Sequence, residues 1–379
     1  MSFSRPGGAV SADILTHDRN LPGCGSVNSF KVPETRRDAP PPVHTDILVP
    51  NLFWPAAAGA EPYRGLALPG LEGLLARGRG AKAAGASLER WLAVAYGLPG
   101  ELPLSPYTLL GEGGDPADAW WMQADPVHLK LHGDQLVLAD ASRLSLEAGE
   151  AEDLVAALNT HFAQEGIAIV APCPQRWYLR VASEPRVATH PTSDVAGRSI
   201  APFLPGGAEG PRWRRVFNEA QMLLHEHPRN AAREARGALP VNSVWFWGTG
   251  RLLRPTSVYD TVWSNHPLPS GLAAASGAMP RSLPEEGELL PADAGGSTQL
   301  VVATGVPPTA YGDVDAWRDA LRRLDATWFA PMLARLRAHL KGSVTLHGLG
   351  PDFSVVVRLS SRDGFRIWRR RLPLAHYAA

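Results

Sequence analysis

At 379 residues the chain has room for one large domain with a lobe or for two smaller domains, and its 45 per cent apolar content supports a substantial core. With 37 basic against 37 acidic residues the formal charge is zero, which argues against a general electrostatic role on nucleic acid or on an anionic membrane. The cysteines Cys24 and Cys173 are far apart and form no CxxC pair, which argues against a disulfide framework or structural zinc and suits a reducing cytoplasm.

Met1 to His44 is rich in Gly, Pro, Ser and Arg and ends in Pro40-Pro41-Pro42, so residues 1–44 read as a flexible tail. Met1 to Val10 has one basic residue and no continuous apolar run, and no segment approaches the roughly 20 apolar residues of a membrane span. Ile47-Leu48-Val49 reads as a buried strand ending at Pro50. Pro69 opens a short helix carrying Leu71, Leu74 and Leu75, closed by Gly78. Ser87 caps a second helix with Leu88, Trp91, Leu92 and Ala95 on one face.

Val127, Leu129 and Leu131 alternate with His128, Lys130 and His132, and Gly133-Asp134 turns the chain into Leu136 to Leu138, a hairpin. Ala151 to Phe162 spaces apolar residues as a helix, followed by strands at Ile167 to Val170 and Trp177 to Val181. Pro211 begins an amphipathic helix through Leu224, which Pro228 terminates. Strands follow at Val241 to Trp247, Val258 to Trp263 and Leu300 to Ala303, while Ser270 to Gly296 is poor in order signals and reads as one short helix plus loops. Trp317, Leu321, Leu324, Trp328 and Met332 form a helix stripe kinked at Pro331. Late strands fall near Val344 to Leu346 and Phe353 to Leu359. This alternation predicts an α/β fold with a mainly parallel sheet covered on both faces.

No phosphate-binding P-loop, GxGxxG turn, GxSxG elbow or HExxH motif is present. In His225-Glu226-His227, residues two apart on a helix point about 200° from one another, so they cannot share one ion. A histidine at a helix C-terminus is otherwise explained by the helix dipole.

One block, Asn218 to Arg251, resembles a signature of the archaeal-type cofactor-independent phosphoglycerate mutases of the alkaline-phosphatase-like superfamily. There a helix ends in His-Pro-x-Asn, an Arg follows, and an Asn opens a strand with two Trp before Gly-x-Gly. The corresponding residues here are His227, Pro228, Asn230, Arg233, Asn242, Trp245, Trp247, Gly248 and Gly250. Leu68 to Glu72, Arg176 to Arg180, Thr192 to Asp194 and Leu268 to Gly277 are weaker echoes of the same family. Residues 47–54, 124–129 and 367–370 further resemble the bacterial RpfE-type regulatory proteins, for which no biochemical activity is implied.

The resemblance implies an alkaline-phosphatase-like core from residues 45–115 and 241–379, with a phosphoglycerate-mutase-like lobe, residues 116–240, inserted into it. It also implies two divalent metals held by Asp and His, with a Ser or Thr carrying the phosphoryl group. This sequence departs from that pattern. Pro50-Asn51 stands where the first Asp ligand is expected, Leu68 where a Thr opens the helix, and Tyr311 where a His belongs. Asp313 and His347 alone cannot hold two divalent ions.

No metal and no cofactor are therefore expected, and no catalytic residue is assigned. Arg176, Arg180, Asp194, Asn218, Asn230, Arg233, Asn242 and Arg251 are the candidate ligand-binding set, suited to an anionic small molecule. The bland alternative has Asn230 and Asn242 satisfying buried backbone and Arg233 pairing with Glu234 or Glu219. The favoured reading is a non-catalytic or strongly diverged regulatory protein of the cytoplasm, with an anionic ligand or a protein partner and no role for nucleic acid or membrane. Its competitors are an active phosphotransferase with a rearranged metal site and an interaction scaffold.

Overall fold

The computed structural model describes residues 43–98, 102–285, 298–337 and 342–378. Met1 to Pro42, nearly all of the expected tail, and Cys24 lie outside the described residues, as does the end of the Ser270 to Gly296 segment.

In chain order the first part comprises β1 (Val43–Val49), α1 (Pro69–Arg77), β2 (Arg79–Ala84), α2 (Leu88–Ala95) and α3 (Ser105–Gly111). Next come β3 (Trp120–His132), β4 (Gln135–Ala139), α4 (Ala148–Phe162), β5 (Ile167–Cys173), β6 (Arg176–Val181) and α5 (Thr192–Val195). α6 (Gly210–His225), α7 (Pro228–Ala235), β7 (Ser243–Gly250), β8 (Thr261–Trp263), α8 (Pro267–Ser276) and β9 (Met279–Arg281) follow. The last part holds β10 (Thr298–Val302), α9 (Val314–Leu324), α10 (Ala330–Arg337), β11 (Gly342–Gly348), β12 (Phe353–Ser360) and α11 (Leu374–Ala378).

The strands form two sheets. A seven-stranded sheet runs β2-β12-β11-β1-β10-β8-β9, parallel from β11 to β9 and antiparallel where β12 joins β11 and β2. Its central strand alternates between two cores. Ile47 and Val49 pack with Leu71, Leu74, Trp317 and Leu321, while Leu48 packs with Leu88, Leu92, Leu268 and Leu272. The mainly parallel sheet with both faces covered is therefore as the sequence predicts.

The second sheet, β4-β3-β6-β5 with β7 paired to β3, builds the lobe. This moves the expected boundary. The sequence places the core from residue 241 onward, whereas β7 hydrogen-bonds to β3 from Val127↔Ser243 to Trp121↔Gly250, so β7 belongs to the lobe sheet.

Several local expectations change for identifiable reasons. Pro228 ends one helix and also opens the next at its first turn, where its missing N–H costs nothing and the His227 side chain accepts from the Arg229 amide. The stripe from Trp317 to Met332 is broken by a π-helical turn at Asp325–Phe329 just before Pro331, which cannot donate back along the helix. α8 and β9 order the start of the segment read as mostly loop, with buried Leu268 and Leu272 anchoring α8. The Gly/Ala-rich edge strand β2 is exposed along its whole length and offers no alternation to read.

Candidate functional site

The lobe meets the carboxyl ends of the parallel strands across a cavity of about 840 Å³, the position where open α/β sheets bind ligands. From the core side come Pro50 and Asn51 after β1, His266 after β8, Thr304 and Val306 after β10, and Gly350 and Pro351 after β11. From the lobe come Gln123 and Asp125 of β3, Arg176 at the start of β6, Thr192 to Asp194 in α5, and Trp247 of β7. α3 and α8 approach each other backbone to backbone at two glycines. An added Cβ on Gly271 would lie 1.7 Å from the Tyr107 carbonyl oxygen, and one on Gly111 would lie 1.9 Å from that of Pro267. This close approach sets Thr108 and His266, both cavity residues, on one wall. β7 bends toward them at Gly248, whose φ of +75° suits glycine and whose added Cβ would lie 2.6 Å from Ser105 Oγ.

The strand-end residues that line the cavity carry no negative charge. Asn51 adopts a left-handed backbone with φ of +58°, tolerated by asparagine. Its side-chain amide donates to the Val306 carbonyl at 3.1 Å, and its own carbonyl accepts from the Trp317 indole at 2.8 Å. Leu68 is fully buried at the start of α1. The amides of Gly70 and Leu71 behind it donate to the Asp325 carboxylate at 3.1 and 2.6 Å, so a carboxylate of the chain itself occupies that helix start. Tyr311 Oη accepts from the Asp140 amide. Asp313 caps α9 by accepting from the Ala316 amide.

His347 hydrogen-bonds to Asp46, which also receives His44 and the Tyr259 hydroxyl. Burial alone raises the Asp46 carboxyl, but these partners outweigh it and hold it below its ordinary value. Among the described residues no three His, Cys, Asp or Glu side chains gather in a way that could hold a metal ion. The donor set therefore does not fit a two-metal centre.

The lobe side is a built polar network. Asp125 is buried, and its Oδ2 accepts from the Thr192 hydroxyl at 2.5 Å and the Trp247 indole at 2.7 Å. Burial pushes its carboxyl up to about 6, against the pull of those two donors and of the Arg176 charge. Arg176 is fixed through Nε by Glu112. His266 is driven down to about 4, chiefly by burial and further by the Arg176 charge, and its Nδ1 accepts from the Leu268 amide. Asp194 receives Arg90, and Arg198 donates to the Asp194 carbonyl while lying over the Phe203 ring.

Of the eight residues expected to bind ligand, Arg176 and Asp194 line this cavity and the other six do not. Arg180 and Asn218 are exposed. Arg251 pairs with Asp118 and lies over Trp120. Asn230 is buried, donating to the Leu224 and Val241 carbonyls and accepting from the Val241 amide. Asn242 exchanges hydrogen bonds with both backbone groups of Leu129. Arg233 is fully buried and reaches Glu150, Leu144 O and Leu239 O, so its partner is Glu150 rather than Glu234 or Glu219. Gln123, Asp125, Thr192, Trp247 and His266 are among the cavity residues that the candidate set leaves out. Gln123 and Asp125 stand two apart on a strand otherwise apolar from Trp120 to Val127, a polar pair on a buried face.

The comparisons first place the fold. The structure of the PH0037 protein from Pyrococcus horikoshii aligns with 84% of this chain and 88% of its own, at a TM-score of 0.53 and 12% identity. A cofactor-independent phosphoglycerate mutase from Thermoplasma acidophilum aligns over 84% of this chain at a TM-score of 0.44 and 15% identity. The likeness to the Pyrococcus protein is one of fold, a mixed α/β layout with a mainly parallel sheet.

Curated sequences then give the kinship. A probable 2,3-bisphosphoglycerate-independent phosphoglycerate mutase of Geobacter sulfurreducens is 36% identical over 70 residues, 18% of each chain. The 2,3-bisphosphoglycerate-independent phosphoglycerate mutase of Methanosarcina barkeri is 29% identical over 115 residues, 30% of this chain and 29% of its own. The chain is thus a distant, phosphoglycerate-mutase-like relative, matching less than a third of the length of these curated proteins. No protein-family model matches the sequence.

Proposed function

We propose that this chain is a phosphoglycerate-mutase-like protein that has exchanged two-metal phosphoryl transfer for small-molecule binding in its strand-end cavity, with a regulatory output. The observation that carries this reading is the division of charge around the cavity. The strand ends offer Asn51, His266, Thr304 and Gly350, whereas the lobe offers Asp125, Arg176 and Asp194. Two metals need several carboxylates and imidazoles converging on one point, and the Asp and His residues here are tied up separately, Asp46 with His347 and Asp313 in a helix cap. A binding pocket needs a few placed polar groups in a shielded space, which the Asp125–Thr192–Trp247 network and the anchored Arg176 supply.

The sequence likeness to RpfE-type regulatory proteins and the cysteine usage support a regulatory place in the cytoplasm. Interconversion of 2- and 3-phosphoglycerate by the purified protein, followed with manganese added, tests the reading. No turnover above the protein-free rate is expected, and metal-dependent turnover would overturn it.

A further inference from the structure

The cavity contains acceptors without donors. Asp125 uses only Oδ2, and its Oδ1 has no hydrogen-bond partner; Gln123 Oε1 has none either. Both side chains are more than nine-tenths buried and both line the cavity, two residues apart on β3. A shielded acceptor left without a donor is destabilising, and the penalty is larger for a charged group. Near them stands the complementary charge. Arg176 lines the cavity and is held by Glu112 through Nε, a contact that does not use its two terminal nitrogens. A guanidinium fixed at one edge presents the other as a fork for a carboxylate.

The remaining charges favour a ligand with little net charge. The lining carboxylates are Glu89, Asp125, Asp140 and Asp194, against Arg90, Arg176 and Arg198. Arg90 is spent on Asp194, and Arg198 on the Asp194 carbonyl and the Phe203 ring. A multiply charged phosphorylated acid would meet more lining carboxylates than arginines, with Arg90 already paired to Asp194. A simple cation would leave the terminal nitrogens of Arg176 without an acceptor.

We propose that the cavity binds a small zwitterion, an amino acid, with its carboxylate on the Arg176 fork and its ammonium on Asp125 Oδ1 and Gln123 Oε1. This rests on the ligand-binding reading above and narrows it to one chemical class. A protonated amine brings three donors and a positive charge, which satisfies two orphan acceptors and neutralises a buried carboxylate.

The test is isothermal titration calorimetry of the full chain with the proteinogenic amino acids and γ-aminobutyrate, each added singly. 3-Phosphoglycerate and putrescine serve as the anion-only and cation-only probes. At least one amino acid should bind while neither of those two does. Asp125→Asn and Arg176→Gln should each weaken binding at least about tenfold, with Gln123→Met as the second acceptor variant should Asp125→Asn fail to fold. Failure of every amino acid to bind overturns the inference, as does binding that folded Asp125→Asn and Arg176→Gln leave unchanged. Binding of 3-phosphoglycerate alone would remove the zwitterion while keeping the ligand-binding reading, whereas manganese-dependent mutase turnover would remove both.

Discussion

The carboxyl ends of the core strands and the inner face of the lobe sheet look at each other across one cavity, yet they carry different chemistry. On the core side, the residues that follow the strands are neutral and engaged in holding loops, as Asn51 is by its bonds to Val306 and Trp317. On the lobe side, Asp125 is buried with one carboxylate oxygen unpartnered, and half-exposed Arg176 is paired with Glu112. On the proposed reading, the fold keeps its cavity while the polar groups offered for binding lie on the lobe wall.

The largest expected effect tests whether the lobe depends on its buried ion pair. Arg233 is fully buried against Glu150, so Arg233→Met leaves a shielded carboxylate short of its main partner. Chemical denaturation should show a loss of about 3–5 kcal/mol. A loss below about 1 kcal/mol would mean the pair does not hold the lobe.

Next comes the pH response of the two walls, which run in opposite directions. The carboxyl of Asp125 rises from 3.8 to about 6 on folding, so it binds its proton more tightly folded, and its contribution to stability falls as pH rises from about 4 to about 6. His266 drops from 6.5 to about 4, so it takes its proton more readily unfolded, and its contribution rises over about pH 4 to 6.5. Each is worth on the order of 3 kcal/mol over its window. Asp125→Asn should therefore steepen the rise of stability with pH relative to the parent, read from denaturation midpoints across that range. A variant whose profile superimposes on the parent would contradict the buried, proton-binding Asp125.

Packing at the wall between them gives a smaller effect. Gly271→Ala forces a Cβ onto the Tyr107 carbonyl oxygen and should cost about 1–3 kcal/mol. It should also displace His266, visible as altered imidazole resonances. The smallest effect belongs to the strand end. Asn51→Ala places alanine in a left-handed conformation and removes one hydrogen bond, about 1–2 kcal/mol, while Asn51→Gly should recover most of it because glycine relieves the strain. Equal losses for both would assign Asn51 a role beyond backbone geometry.

Much of the frame was legible because apolar periodicity reports which side of an element faces the core. Ile47, Leu48 and Val49 read as a strand buried on both faces, and each face has its own core. Cavity residues were harder to read because side chains that fill a signature can serve the scaffold. Asn230, Arg233 and Asn242 fit a family pattern in sequence, and in three dimensions they bond to backbone and to Glu150. Asp125 and Gln123 left a fainter mark, two polar residues inside an apolar strand. Their meaning depends on Thr192 and Trp247, about 70 and 120 residues away in the chain, which no local pattern connects.

Titration of the metal-free protein with manganese, followed by calorimetry, tests most directly whether the core wall has lost its chemistry. With the strand ends neutral and the carboxylates dispersed, no tight stoichiometric binding is expected, and Asn51→Asp should be required before any appears. Tight binding of two ions per chain by the unaltered protein would contradict the account.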